Sequence, residues 1–457
     1  GCRRARCRRP AARRRRAKRQ PIVRCRIPGT PAGIVHLAKN YAKLPLSVSL
    51  KAAIRQAREG FGVDEHYQRM AKFRLEALRK SPAAAAIFLK NNDVPPVGHL
   101  IIQTDLANTL EQIALHGMQG FYAGPVAKAM VDGVKAAKGI WTLRDLSNYQ
   151  VVERTPIRGT YRGINITTAS PPSSGGIALM TILNILAEFP LDTLKDADRK
   201  HLIIEAMRRA YRDRAQYLGD SDYVSVPIQR LISKFYAQGL RASIRTDKAL
   251  PSAYLPGVEK TSNGRDTSHF SILDKEGNRV SATLTINYPF GSCFVPPGTG
   301  VLLNDEMDDF SAKPGTPNAY GLVGAEANAI APGKRPLSSM SPTFLVDDRG
   351  IVVIGTPGGS RIITMVLLAI LDYAHNQGQP ESMVSLPRYH HQYLPDQTYY
   401  ETKALSIETQ SELSTRGHTL KAAKWRYGNM QAVMWDKIQQ KMLAASDPRG
   451  LGSGQVR

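Results

Sequence analysis

Apolar residues recur three and four positions apart over residues 45–80 and 104–137, the spacing that lines one face of a helix. Two shorter runs, 177–186 and 363–371, are apolar almost all round and predict helices buried on every side. A long helix of mixed charge is predicted over 199–218. Residues 143–149 suit a short helix or turn, and 157–168 alternate as a strand pair does. The breaker cluster Ser170-Pro-Pro-Ser-Ser-Gly-Gly176 then opens onto the helix at Ile177. Residues 241–266 are polar and have no period. No apolar run approaches the roughly 20 residues that cross a bilayer, so no membrane span is expected.

After residue 266 the period changes from helix to strand. Val280, Ala282, Leu284 and Ile286 fall on one side, and Ser281, Thr283, Thr285 and Asn287 on the other. A turn centred on Glu276-Gly277 would pair this strand with residues 269–274 and set Thr267 opposite Ile286, flanked by Thr285 and Asn287. The expected arrangement is a hairpin with its apolar face on a core and three polar residues together at its open end. A second hairpin, 343–346 with 351–355, turns at Asp347-Asp-Arg-Gly350, and its paired numbers sum to 697. That register carries Ser338-Ser339 and Gly358-Gly359 to one sheet end. Ser360 is placed to cap the helix after it. Glycine N–H groups at a helix start lack intrahelical acceptors and suit an anion.

Composition adds one anomaly. Residues 1–26 hold thirteen Arg or Lys and no acid, more than half of the chain's formal net charge of +24. Runs of this kind meet nucleic acid or anionic surfaces. No aromatic residues interleave here, and no nucleic-acid module follows, so no nucleic-acid partner is expected. The expectation is a basic arm outside the fold. Cys2, Cys7 and Cys25 lie in it with no zinc spacing, and Cys293 stands alone in the body, so no metal site is expected. No apolar core follows the basic residues, so the arm is not a secretory signal.

No histidine sits in a G-x-S-x-G or H-E-x-x-H context. A threonine needs no histidine if its own α-amine is free, because that amine titrates near about 7.7–8.0 and can serve as the base. This requires a cut before the threonine, and the irregular segment ending at Asp266 suits one.

Four stretches then carry a resemblance. Asp266-Thr267-Ser268-His269-Phe270-Ser271 resembles the processing site of the gamma-glutamyltranspeptidase family. Leu303-Asn-Asp-Glu306-Met-Asp308-Asp309-Phe310-Ser resembles its glutamyl-amine motif. Pro336-Leu-Ser338-Ser339-Met-Ser-Pro-Thr343 and Thr356-Pro-Gly358-Gly359-Ser-Arg361 resemble its carboxylate and oxyanion motifs. Their order and spacing also match, and weaker echoes include Pro171–Gly176 and Glu205–Asp220.

The resemblance implies a four-layer αββα sandwich of the N-terminal-nucleophile hydrolase type. It implies cleavage between Asp266 and Thr267 into a large-subunit portion, 27–266, and a small subunit, 267–457. Thr267 would be the nucleophile and Thr285 its positioning partner. Asn287, Glu306 and Asp309 would hold an α-ammonium, Ser338 and Ser339 an α-carboxylate, and the N–H groups of Gly358 and Gly359 an oxyanion. Tyr320 would belong to a lid. The implied reaction moves a γ-glutamyl group from glutathione or a related amide to water, an amino acid or a peptide, without cofactor. The implied location is periplasmic or extracellular. The family's upstream glycine-rich stretch, with an arginine for the α-carboxylate, has no match here; the basic arm stands in its place, so one substrate anchor is expected to be missing. A glutaryl or cephalosporin acylase of the same fold, and an inactive remnant, are the alternatives.

Overall fold

The computed structural model describes residues 25–255, 267–311 and 324–457. Asp266 and Tyr320 lie outside the described residues. The centre is a six-stranded antiparallel sheet. Its order is Lys441–Ser446, Gln431–Asp436, Gly350–Gly355, Thr343–Val346, Ile164–Thr168 and Ile157–Tyr161. Val352, Val353 and Ile354 are fully buried, so the middle strand is covered on both faces.

One face carries Gly175–Leu186 and Ile362–His375, with Asp196–Tyr217 packed on the first of these. Every residue of Gly175–Leu186 is buried, as is Ile362–Tyr373, which accounts for their lack of a polar face. The helices before residue 150 gather round two smaller apolar cores, one including Phe121, Met130 and Trp141 and the other Leu78, Phe88 and Cys293.

Across the other face lies the hairpin Ser268–Leu273 with Arg279–Leu284. Helices, a large sheet and a stacked second layer are the order of an α/β sandwich. Among the described residues this two-stranded hairpin is the smaller of the two stacked antiparallel sheets expected.

The hairpin departs from expectation in register and in face. Ser268 pairs with Leu284 and Leu273 with Arg279, a slip of one residue that sets Thr267 opposite Thr285 instead of Ile286. The turn accounts for the slip. Asp274 closes it, accepting from Glu276 N and Asn278 N, and Gly277 has φ +85°, so the loop holds three residues where two were expected.

The face is reversed as well. Phe270 and Ile272 remain 44% and 50% exposed, while His269, Ser271, Ser281 and Thr283 turn toward the sheet. Hydroxyls explain this. Ser281 Oγ donates to Ile354 O and accepts from Thr343 N, and Ser271 Oγ donates to Gln431 O. The polar side thus bonds main-chain groups of three sheet strands.

The basic arm also ends earlier than expected. Cys25 is buried, and Arg26 N donates to Asn304 Oδ1 at 3.1 Å while its guanidinium lies over Phe310 and donates to Lys334 O. Among the described residues no helix is long and apolar enough to cross a membrane.

Candidate active site

Thr267 stands at the open end of its hairpin, with its side chain on the sheet-facing side. Its Oγ1 donates to Thr285 Oγ1 at 3.4 Å. Thr285 Oγ1 also accepts from Asn287 N at 2.8 Å and donates to the Glu306 carboxylate. Asn287 leaves the strand with φ +73°, a left-handed conformation asparagine tolerates better than most residues. Its side-chain amide donates to Asp305 O at 3.2 Å and is buried.

Two residues along, His269 fills the gap between hairpin and sheet. Its Nδ1 meets Thr283 Oγ1 at 2.8 Å and its Nε2 meets Ser271 Oγ at 3.0 Å. Burial pushes its pKa down to about 4, so the imidazole is neutral. A Cβ on Gly355 would lie 2.1 Å from this ring, which explains a glycine at the end of a buried strand.

The second hairpin has the expected register, Thr343 opposite Ile354. Beyond it the ladder stops, and Ser338 bridges to Ser173 instead. Ser338 O accepts from Ser174 N and Ser174 Oγ, at 2.9 and 2.6 Å. The breaker cluster can press this closely because a Cβ on Gly175 would lie 2.2 Å from Ser341 Oγ. Gly358 has φ +145° and Gly359 φ +58°, both open only to glycine at low cost. Among the described residues neither N–H donates to a main-chain carbonyl. Ser360 does not cap the next helix: Gly359–Arg361 forms a 3₁₀ turn ahead of it, and Ser360 Oγ donates to Gln392.

These segments enclose a small cleft that opens to solvent. Thr267, Thr285, Asp309, Ser338, Ser339 and Gly359 line it together, with Met340, Ile362 and Arg214. Gly358 adjoins Gly359. Glu306 bonds to Thr285 and Asp309, which line the cleft. Arg214 was not singled out by the sequence; it lay within the Glu205–Asp220 echo, and an arginine in a mixed-charge helix gives no sign that it points inward.

The acidic side is electrostatically unusual. Burial first, and then the charge of Asp305, raise Glu306 to about 7, although Arg26 pulls it back. Burial first, and then Glu306, raise Asp309 well above the carboxylate range, against the pull of Arg214. The two carboxyls are hydrogen-bonded to one another, and Glu306 Oε1 is buried with no hydrogen-bond partner among the described residues. An arrangement of this kind holds a proton between the two acids and suits a ligand cation in exchange.

The family model for Gamma-glutamyltranspeptidase matches residues 13–456. The chain belongs to the gamma-glutamyltranspeptidase family. It is 41% identical over 432 residues to a glutathione hydrolase proenzyme of Escherichia coli, covering 93% of this chain and 73% of that one. It is 43% identical over 396 residues to a glutathione hydrolase proenzyme of a Pseudomonas species, covering 86% and 69%. Among solved structures it resembles cephalosporin acylase from Bacillus halodurans, with a TM-score of 0.82 and 26% identity over 95% of this chain and 78% of that one. The fold is therefore the α/β sandwich of N-terminal-nucleophile hydrolases, and the chain is placed among the family's γ-glutamyl-transferring enzymes. The acylase is the more distant relation.

Proposed function

We propose that this chain is a self-cleaving γ-glutamyl transferase and glutathione hydrolase with Thr267 as nucleophile. One observation carries the reading: Thr267 lines one cleft together with the carboxyl of Asp309, the hydroxyls of Ser338 and Ser339, and Gly359. That set of groups matches the head of an amino acid whose side chain ends in the scissile amide.

In the precursor, Thr267 Oγ1 attacks the carbonyl carbon of Asp266, and its own nitrogen leaves that carbon with a proton. Water then hydrolyses the ester, giving an Asp266 carboxylate and a free Thr267 amine. Two fragments, 1–266 and 267–457, remain associated through the shared sheet. In turnover, the amine takes the proton of Thr267 Oγ1 as the oxygen attacks the γ-amide carbon. The N–H groups of Gly358 and Gly359 stabilise the oxyanion. The departing amine recovers the proton as its bond to carbon breaks. Water or an amino acid then attacks the glutamyl ester. Thr285 aims the nucleophile. Asp309 and Glu306 bind the α-ammonium, and Ser338 and Ser339 the α-carboxylate. Asn287, whose amide nitrogen donates to Asp305 O, is assigned with Asp309 and Glu306 to the α-ammonium. Tyr320 is assigned to a lid, and the protein to the periplasm or the extracellular space, on resemblance to the family.

The test is the comparison of γ-glutamyl and glutaryl anilides. The glutaryl group lacks the ammonium, so a γ-glutamyl enzyme prefers the first and an acylase the second.

A further inference from the structure

The turn Gly358-Gly359-Ser360 has two glycines in conformations that leave their backbone loose. Gly358 O accepts from Arg361 N at 3.2 Å and Gly359 O from Ile362 N, so both glycine carbonyls are engaged by the chain that follows. These bonds close the turn without fixing it to the rest of the fold.

Ser360 is where the fold takes hold. Its carbonyl oxygen accepts from the Tyr211 hydroxyl, and its Oγ donates to Gln392 Oε1 at 2.7 Å. Tyr211 comes from Asp196–Tyr217, and Gln392 follows the strand Tyr389–His390. His390 joins the two grips. Its Nε2 donates to the same Gln392 oxygen at 2.8 Å, and its ring meets that of Tyr211 edge to face with centroids 5.6 Å apart. Its Nδ1 meets Thr364 Oγ1, in the first turn of Ile362–His375, at 2.9 Å. Tyr211, Ser360, Gln392, His390 and Thr364 are all buried. Buried polar groups are costly unless they satisfy one another, and a satisfied network specifies one arrangement. The arrangement specified here is that of Ser360, beside the Gly359 that lines the cleft.

We propose that Tyr211 and Gln392 are positioning residues for the reaction: by gripping Ser360 at its carbonyl and at its hydroxyl, they hold the Gly358 and Gly359 N–H groups on the developing oxyanion. This deepens the γ-glutamyl reading and rests on it. Both side chains act through Ser360. Their effect therefore falls on the step that develops negative charge and leaves binding of the substrate's head unchanged.

The experiment uses Tyr211→Phe, which removes one hydroxyl, and Gln392→Met, which removes one acceptor at nearly constant shape. Hydrolysis of γ-glutamyl anilide is measured per cleaved chain, counted by intact mass. Two ligands are titrated beside it. Glutamate probes the ground state. A glutamate analogue with a boronic acid in place of the γ-carboxyl becomes tetrahedral at boron when Thr267 Oγ1 adds to it, and so probes the oxyanion site. Each variant is expected to lower kcat about 10- to 100-fold with KM within about twofold, to weaken the boronate by a similar factor, and to leave glutamate within about twofold. An unchanged kcat, a loss carried by KM, glutamate weakened as much as the boronate, or no cleaved chain in either variant would make the network merely structural and overturn the proposal. Wild type that neither cleaves the anilide nor binds the boronate would instead overturn the γ-glutamyl reading on which it stands.

Discussion

Thr267 Oγ1 donates to Thr285 Oγ1, and the same Thr285 oxygen accepts from Asn287 N and donates to Glu306. One hydroxyl therefore connects the proposed nucleophile to the acid pair. Thr285→Val keeps the shape and removes the oxygen. A nucleophile left unaimed loses on the order of 10²-fold in rate. The expected result is slower self-cleavage and a kcat about 100-fold lower with γ-glutamyl anilide, read by timed intact mass and by initial rates.

The acid pair gives a pH dependence with a definite sign. Glu306 is raised to about 7 and Asp309 is raised as well, so the empty site binds a proton that an ammonium must displace. Affinity for an ammonium-bearing substrate should rise with pH through about 7, and KM should fall. Glutaryl anilide, without the ammonium, should not show that fall. KM measured for both substrates between pH 5.5 and 8.5 checks this.

The same burial costs stability. A carboxyl whose folded pKa lies above its unfolded value binds more protons when folded, so its stability contribution is lost as pH rises through the folded pKa. Asp309→Asn removes that penalty. It should raise stability at pH 8 by about 1–2 kcal/mol, with a smaller effect at pH 5, while γ-glutamyl activity collapses. Thermal melts at the two pH values, beside activity, provide the measurement.

The reversed face of the Thr267 hairpin is testable by substitution. Ile272 is half exposed, so Ile272→Thr should change stability by less than about 0.5 kcal/mol. Ser281 bonds two main-chain groups of the sheet, so Ser281→Val should cost about 1–3 kcal/mol. Gly355→Ala drives a Cβ into the His269 ring and should cost a similar amount while slowing self-cleavage. Denaturant midpoints of the three variants decide the orientation.

Much of this was legible along the chain, for identifiable reasons. The apolar runs at 177–186 and 363–371 became the two buried helices because their few polar side chains, Thr181, Asn184 and Thr364, find partners inside the fold. Thr343 fell opposite Ile354 because the Asp347–Gly350 turn left a single register. The Thr267 hairpin misled because alternation gives two faces without saying which is inside. Its hydroxyls bond sheet backbone, and Asp274 added a residue to the turn. The strands Gln431–Asp436 and Lys441–Ser446 went unread, and they complete the sheet edge over which Ser271 lies. Long-range partners such as Arg214 with Ser339, 125 positions apart, leave no local trace.

In the proposed mechanism Thr267 frees its own amine and then uses it as its base. Intact mass of wild type and Thr267→Ala, run beside γ-glutamyl anilide hydrolysis, puts this to the test. Two fragments meeting between Asp266 and Thr267 are expected in wild type, and a folded, inactive, uncut chain in the variant. A folded wild-type chain that stays whole yet hydrolyses γ-glutamyl anilide, or a Thr267→Ala chain that still cuts at that bond, would contradict it.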